Sequence, residues 1–554
     1  MKWLALLSLI VANVVKVPTP VVKTSSGLVR GRVSDNGLFY QYFGIPYGYV
    51  SEENRFKAPL PPLKWKGVFE AIDENIRCPQ RMVGSVVVGD EDCLRLNVYT
   101  PVARTAGVLL PVMVYIHGGC FFEGTGTAFL YGADYFMEHG VVFVGINYRL
   151  NVEGYLCLGI EEAPGNAGLK DQVAALRWIQ ENIKGFGGNP DSVTLFGESA
   201  GAVSSSYLIS SPAAKGLFHK VILQSGSSLA PWAMQHDPIK TASNLAREFG
   251  HETVDPHELY QILSQRSPEE LILAIRNPQH KNYITAETLF VPCIEKPIAG
   301  VEPIITEHPA DIISSGNYTQ VPMIIGYNDN EGIYFVAKDF GRRVEEVDPR
   351  ELLTPDLEFP GDEKRNATAQ QLGEYYFSKK EDLVMDVVQL YSDLHFKFPC
   401  VLESELYLRT SRRPIYFYVF KYSGYINMPK LVSLFGGRRG ASHADELFYM
   451  FKPSSIPLPQ RYLESAMIRQ IVTLWTNFAK YGDPTPLSSD ILPVRWRSSS
   501  GWNPTALVID SAVSTGPMWD EDSVRLWNET YTKYRRKSFG HYGLVLGAGA
   551  ESYR

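Results

Sequence analysis

Three residues spread along the chain have the types and the order that nucleophilic catalysis requires: Ser199, Glu331 and His443. A serine hydroxyl attacks a carbonyl carbon when a histidine takes its proton and a carboxylate fixes the tautomer of that histidine. Residues 197–201 read Gly-Glu-Ser-Ala-Gly, a motif typical of a strained strand-to-helix turn that exposes its serine. We therefore expect acyl transfer with Ser199 as the nucleophile, Glu331 as the acid and His443 as the base.

Each of these features also has a structural interpretation. A Gly-x-Ser-x-Gly run is often only a turn, Asn-Glu-Gly at 330–332 is a common turn triplet, and most of the eleven histidines are expected to be structural. His443 is favoured as the base because it follows a late strand and the acid. His117 is a rival, but it precedes Ser199 within a glycine loop, so we interpret it as structural.

The oxyanion of the reaction needs backbone N–H donors, and a glycine loop can bring them close to a substrate. His-Gly-Gly at 117–119 follows a buried strand, which indicates an oxyanion hole made by the amides of Gly119, Cys120 and Ala200. We expect minor roles for three acidic residues that are close in sequence to Ser199 or His443. Glu198 tunes the field of the site or holds water, and Asp445 and Glu446 cap or anchor a helix.

Strands and helices alternate around these motifs, which predicts a mostly parallel sheet covered on both faces. The predicted segments are a hairpin within 21–43 about Asn36-Gly37, strands at 94–99, 112–116, 141–147, 192–196, 221–223, 322–326 and 415–420, and helices at 169–183 and 462–481. Residues 44–47 are expected to be irregular, and 237–308 to be a mostly helical lid. We expect one domain over residues 16–554.

Composition narrows the class of protein. The chain has 554 residues, of which 45% are hydrophobic and 20% are charged, and its net charge of −7 argues against a nucleic-acid partner. A lysine followed by a short apolar run predicts a signal peptide over about residues 1–15, and no other stretch is long enough for a membrane anchor. The sequence therefore predicts a secreted, extracellular protein.

Sequons and cysteines fit that compartment. Candidate glycan sites are Asn317, Asn366 and Asn528. Cys78 and Cys93 lie close together and suit a local disulfide, whereas the remaining cysteines are expected to be mostly buried thiols. No cysteine pair or cluster has zinc-ligand spacing. We expect the reaction at Ser199 to proceed without a metal or a cofactor.

The chain resembles the type-B carboxylesterases, the cholinesterase-like branch of the α/β-hydrolases. The stretches that carry this resemblance lie at 43–47, 91–99, 117–119, 166–172, 186–190, 197–201, 224–227, 330–332 and 443–446. The resemblance implies an α/β-hydrolase fold with lid insertions, the triad and oxyanion hole given above, and a Cys78–Cys93 disulfide. Within the family, the chain looks most like a secreted insect esterase of the antennal or digestive kind.

Three departures from the family pattern concern the substrate. Cys120 stands where Gly or Ala is usual, which narrows the space beside the acyl carbonyl. The Cys78–Cys93 loop lacks the Trp that binds quaternary ammonium in cholinesterases, so choline esters are disfavoured. Glu198 replaces the Gln typical of juvenile hormone esterases, which makes that specificity less favoured.

We thus predict a secreted serine carboxylesterase that hydrolyses small to medium apolar esters through an acyl-serine intermediate. Odorant or pheromone acetates, dietary esters and xenobiotic esters are the expected substrates, with roles in odorant degradation or detoxification. The alternatives are a juvenile hormone esterase and an esterase-like binding or adhesion protein without turnover. The sequence leaves the oligomeric state open.

Overall fold

The computed structural model describes residues 17–82, 85–103, 107–275, 290–338, 352–378, 382–456, 462, 464–499, 504–519 and 521–536. The predicted signal peptide, residues 1–15, lies outside these ranges. Part of the predicted lid, residues 276–289, lies outside them as well.

Sixteen strands are found in the described part of the chain. In chain order they are β1 Val22–Lys23, β2 Leu28–Arg30, β3 Arg32–Val33, β4 Phe39–Pro46, β5 Val68–Glu70, β6 Gln80–Arg81, β7 Val87–Val88, β8 Arg95–Pro101, β9 Leu110–Ile116, β10 Val142–Ile146, β11 Gly188–Glu198, β12 Lys220–Gln224, β13 Met323–Asn328, β14 Ile415–Phe420, β15 Thr505–Ile509 and β16 Ser514–Pro517. Two small sheets, β1-β2-β5 and β6-β7, accompany one large sheet.

The large sheet has eleven strands in the order β16-β15-β14-β13-β12-β11-β9-β10-β8-β4-β3 among the described residues. All pairings from β10 through β15 are parallel, and the pairings at both edges are antiparallel. Side chains alternate between the two faces of a strand. Consistent with this, Val112 and Val114 of β9 belong to one core cluster and Met113 and Tyr115 to another. The expected α/β-hydrolase sheet with two covered faces is therefore confirmed.

Helices cover both faces of this sheet. They are α1 Ala128–Tyr131, α2 Asp134–Met137, α3 Asn151–Tyr155, α4 Ala167–Asn182, α5 Ala200–Ser210, α6 Pro238–Glu248, α7 Pro256–Ser264, α8 Pro268–Ala274, α9 Pro309–Ser315, α10 Ile333–Lys338, α11 Asp362–Phe377, α12 Leu383–Ser392, α13 Phe398–Thr410, α14 Met428–Val432, α15 Ser465–Tyr481 and α16 Glu521–Tyr534. A π-helical turn, Asp393–Lys397, joins α12 to α13, and Asp445–Tyr449 forms a 3₁₀-helix. Within the described ranges, no helix has the length and apolarity needed to span a membrane.

The predicted hairpin is confirmed, because β3 pairs with β4 in antiparallel fashion across the Asn-Gly turn. The prediction that residues 44–47 are irregular was wrong, since β4 continues to Pro46. Gly44, at a φ of 73°, makes a bulge between Tyr42 and Ile45, and this bulge lets the strand resume its pairing with β8. The described part of the predicted lid region is helical in α6, α7 and α8 but irregular from residue 290 to His308.

The structure contains the expected disulfide and a second one that was not expected. Cys78 and Cys93 form a disulfide, and Cys157 forms a second one with Cys293, where we had expected thiols. The partners of the second bridge are 136 residues apart, so sequence proximity gave no signal for it. Cys400 is a buried thiol, and Cys120 is a partly exposed one.

The three sequons differ in accessibility. Asn317 and Asn366 are exposed. Asn528 lies within α16 and is only 9% exposed, so it offers little room for a glycan. The structure thus argues against Asn528 as a glycan site and leaves the first two as candidates.

Candidate active site

Ser199 occupies the turn between β11 and α5. Its backbone lies at φ 57° and ψ −124°, a strained conformation for a residue with a side chain, and its N–H donates to the carbonyl oxygen of Gln224 at 2.8 Å. A Cβ at Gly201 would lie 2.0 Å from the carbonyl oxygen of Ile116, and one at Gly197 would lie 2.4 Å from the backbone of Gly201. The predicted strand-turn-helix and its need for glycine on both sides are confirmed.

His443 and Glu331 meet although they are far apart in sequence. Nδ1 of His443 lies 2.6 Å from Oε2 of Glu331, and Oε1 of Glu331 accepts a hydrogen bond from the backbone N–H of Asn328 at 2.7 Å. Both side chains are buried. Burial disfavours the imidazolium, but the charges of Glu198 and Glu331 outweigh it and raise the pKa of His443 to about 9. Glu331 thus holds the ring by Nδ1 and does not engage Nε2.

Glu198 approaches that second nitrogen. Its Oε1 lies 3.0 Å from Nε2 of His443, whereas no hydrogen bond joins the described side chains of Ser199 and His443. Burial, with smaller contributions from the charges of Glu446 and Glu331, raises the pKa of Glu198 to about 8 although the charge of His443 lowers it. Glu198 therefore contacts the predicted base directly, which goes beyond the tuning role that the sequence suggested.

The loop after β9 packs against Ser199. A Cβ at Gly118 would lie 2.8 Å from Oε2 of Glu198 and 3.0 Å from Cβ of Ser199, so only glycine allows this approach. Gly119 has a φ of 106°, and Cys120 has a φ of 53°. Ala200 is the first residue of α5, whose N-terminus offers unpaired amides next to the serine. The three amides predicted for the oxyanion hole thus belong to segments that flank Ser199.

His117, the rival base, is placed differently. It is fully buried, its ring stacks on Tyr148 with centroids 4.4 Å apart, and its Nδ1 lies 2.8 Å from the carbonyl oxygen of Gly118. Burial lowers its pKa to about 4, so the ring is neutral. These contacts support the structural interpretation of His117.

Glu446 links three parts of the site that the sequence did not connect. Its Oε1 accepts a hydrogen bond from Nε2 of Gln224 at 3.0 Å, and its Oε2 accepts one from Nδ2 of Asn328 at 2.6 Å. Asn328 also donates to the carbonyl oxygen of Ser442, next to the base. Burial, together with the charge of Glu331, raises the pKa of Glu446 to about 7. Glu446 therefore links the ends of β12 and β13, whereas we had expected it to cap or anchor a helix.

Asp445 does anchor a helix, as expected. Its Oδ1 accepts from the backbone N–H of Lys430 in α14 at 3.2 Å, and its Oδ2 accepts from Asn427 and from the backbone N–H of Ser442. The loop that carries His443 is thereby fixed to α14.

Ser199, His443, Glu198 and the oxyanion loop line one cavity of about 320 Å³. Apolar side chains form much of its wall, among them Phe129, Leu130, Tyr131, Tyr334, Phe335 and Leu447. Cys120 lines it as well, so its thiol occupies space beside the reacting atoms. An apolar cavity with a few convergent polar groups is typical of a small-molecule site.

Comparison with known proteins is consistent with this geometry. The carboxylesterase family matches residues 18–527. Esterase FE4 of Myzus persicae is 34% identical over 86% of this chain and 87% of its own length. Juvenile hormone esterase of Tribolium castaneum is 34% identical over 84% of each chain. The crystal structure of juvenile hormone esterase from Manduca sexta, with OTFP covalently attached, superposes with a TM-score of 0.81 at 29% identity and covers 93% of this chain.

Proposed function

Because this chain belongs to the carboxylesterase family and is a carboxylic ester hydrolase, we propose that it acts as a serine esterase through an acyl intermediate on Ser199. One observation carries the proposal. Ser199, His443 and the oxyanion loop line one cavity, and Oε2 of Glu331 lies 2.6 Å from Nδ1 of His443. The arrangement contains a nucleophile, a proton acceptor, an orienting carboxylate and amide donors, the parts that acyl transfer requires.

The proposed reaction has two stages. Nε2 of His443 takes the proton of Ser199 as Oγ attacks the ester carbonyl, and it then gives that proton to the departing alcohol. Water attacks the acyl-Ser199 in the same way and releases the carboxylic acid. Glu331 stabilises the imidazolium throughout. The amides of Gly119, Cys120 and Ala200 bind the oxyanion, and each such donor typically contributes on the order of 100- to 1,000-fold in rate.

Small to medium apolar esters are the proposed substrates. The cavity volume of about 320 Å³ is at the lower end for small-molecule sites, and apolar side chains form much of its wall. Acetates and other short-chain esters, including odorants and xenobiotics, are small enough for this volume and apolar enough for this wall. Juvenile hormone hydrolysis remains the second candidate, because a relative and a solved structure are named juvenile hormone esterases.

Secretion is part of the proposal. The N-terminal apolar segment, the two disulfides and the exposed sequons at Asn317 and Asn366 all suit an oxidising, extracellular compartment. We also treat residues 16–554 as one domain, since a single sheet draws its strands from Arg32 to Pro517.

Steady-state hydrolysis by purified wild type and Ser199→Ala tests the function. Matched nitrophenyl esters of short and longer acyl chains serve as substrates. Sustained turnover that Ser199→Ala abolishes is the expected result. A single burst without turnover would indicate a binding protein that acylates but does not release, and equal activity in both proteins would refute the serine mechanism.

A further inference from the structure

Arg77 places a positive charge in the wall of the active-site cavity. It lines the same cavity as Ser199, and among the described residues no carboxylate oxygen lies within the 4.0 Å that defines such a pair. Its guanidinium carbon lies 4.8 Å from the centre of the Phe129 ring, and its Nε reaches the carbonyl oxygen of Asn75 only at 3.5 Å. The terminal N–H groups of the guanidinium are thus available to a ligand.

The backbone that carries Arg77 is held firmly. The next residue, Cys78, is bonded to Cys93. Gln80 then donates to the carbonyl oxygen of Gly124 at 2.8 Å and accepts from its N–H at 2.9 Å, which ties this segment to the loop that follows the oxyanion residues. The ring of Phe129 supports the guanidinium from one side. Arg77 therefore extends from an anchored backbone, and Phe129 supports its guanidinium.

The charges in the cavity favour one orientation for an anionic ligand. Glu198 contacts His443, and the side chain of Glu123 lies beside Gly119, where an added Cβ would come within 3.0 Å of its Cγ. The Glu198 carboxyl group therefore lies near the reacting atoms, and Glu123 adds a second carboxyl group to the same cavity, so both disfavour an anion beside the ester bond. Arg77 is partly exposed, whereas Ser199 is buried, so the positive charge lies on the solvent side.

We propose that Arg77 is a specificity-determining residue that selects esters carrying a carboxylate at the end remote from the ester bond. A guanidinium binds a carboxylate through two parallel N–H···O bonds. The apolar side chains that line the same cavity can accommodate the hydrocarbon that joins the two ends of such a substrate. This inference rests on the serine esterase function proposed above. It adds a class of amphiphilic, anionic esters to the neutral ones.

The test compares Arg77→Gln with wild type on two matched pairs of esters. In the first pair the carboxylate is on the acyl part: the anionic ester is 4-nitrophenyl hydrogen adipate, and its neutral counterpart is 4-nitrophenyl hexanoate. In the second pair the carboxylate is on the alcohol part: the anionic ester is 3-(4-acetoxyphenyl)propionate, and its neutral counterpart is 4-propylphenyl acetate. Arg81→Gln is the matched control, because Arg81 lies in the same segment, in β6, but does not line the cavity.

In at least one pair, we expect Arg77→Gln to lower kcat/KM for the anionic ester about tenfold, mainly through KM, because a charged hydrogen-bonded pair is lost. The neutral ester of that pair should be unaffected, and Arg81→Gln should change neither. Added salt should weaken the wild-type preference for the anionic ester. Equal changes for charged and neutral esters, or no change in either pair, would overturn the proposal. Failure of wild type to turn over the neutral esters would instead refute the serine esterase function.

Discussion

At the scale of single residues, His443 lies between two carboxyl groups. Glu331 holds Nδ1 at 2.6 Å, and Glu198 lies 3.0 Å from Nε2, the atom proposed to take the serine proton. Burial lowers the pKa of His443, but the neighbouring carboxylates outweigh this effect and raise it to about 9. The pKa of Glu198 is raised to about 8, mainly by burial. Near neutral pH the pair formed by His443 and Glu198 therefore retains a proton. Nε2 can act as a base only after that proton has been lost.

Replacing Glu198 with Gln tests this coupling. The substitution removes a negative charge beside Nε2, so the imidazolium is less stabilised and the pKa of His443 falls. The acid limb of the pH profile of kcat/KM should therefore move to lower pH, by about one to three units. Glu123→Gln is the control, because it removes a carboxyl group from the same cavity without touching His443. An unchanged acid limb, or one shifted to higher pH, would contradict the assignment.

At the scale of elements, the site depends on how closely α5 packs against β9 and β11. The carbonyl oxygen of Ile116 at the end of β9 would lie 2.0 Å from a Cβ at Gly201, so the first turn of α5 rests on the backbone of the strand. This close approach fixes where Ser199 stands relative to the oxyanion loop, which continues from the same strand. The packing of α5 on β9 therefore contributes to the geometry of the nucleophile, together with the hydrogen bond from Ser199 to Gln224.

Gly201→Ala is predicted to destabilise the protein and to lower kcat. In an ordinary helix interior alanine is favoured over glycine by about 1 kcal/mol, but here the added methyl group must displace α5 from β9. We expect the free energy of unfolding to fall by roughly 1–3 kcal/mol, measured by urea denaturation. Gly361→Ala is the matched control, because an added Cβ there meets nothing within 4 Å. Equal effects of the two substitutions would refute the packing argument.

At the scale of the whole molecule, local motifs were predictable, and so was the pairing of Glu331 with His443, which the order of the motifs indicates. Other long-range contacts were not predicted. The elbow, the central strands and the Asn-Gly hairpin each follow from a short stretch of sequence. The hydrogen bonds of Glu446 to Gln224 and Asn328, by contrast, exist only because parallel strands end at one edge of the sheet. The Cys157–Cys293 bridge likewise joins residues that only the fold brings together.

That bridge is predicted to stabilise the whole domain. It closes a loop that contains Ser199, and near it Asn166 hydrogen-bonds to both backbone groups of Cys293, while Lys170 forms a buried ion pair with Glu295. Replacing both Cys157 and Cys293 with Ser should lower the free energy of unfolding by roughly 2–4 kcal/mol in urea denaturation. Cys400→Ser, which removes a buried thiol without opening a bridge, is the control. No loss beyond that of the control would contradict the prediction.

The central claim is that an acyl group becomes bonded to Ser199 during turnover, and mass spectrometry after labelling tests it most directly. The enzyme is treated with diethyl 4-nitrophenyl phosphate, whose phosphorus is attacked by the serine oxygen with release of 4-nitrophenolate. Water removes the diethylphosphoryl group left on the serine only slowly, so the protein can then be digested and mapped. We predict one diethylphosphoryl group per chain, on the peptide containing Ser199, with loss of activity in proportion to labelling. Loss of activity with Ser199 unlabelled, or full activity with Ser199 labelled, would contradict the account.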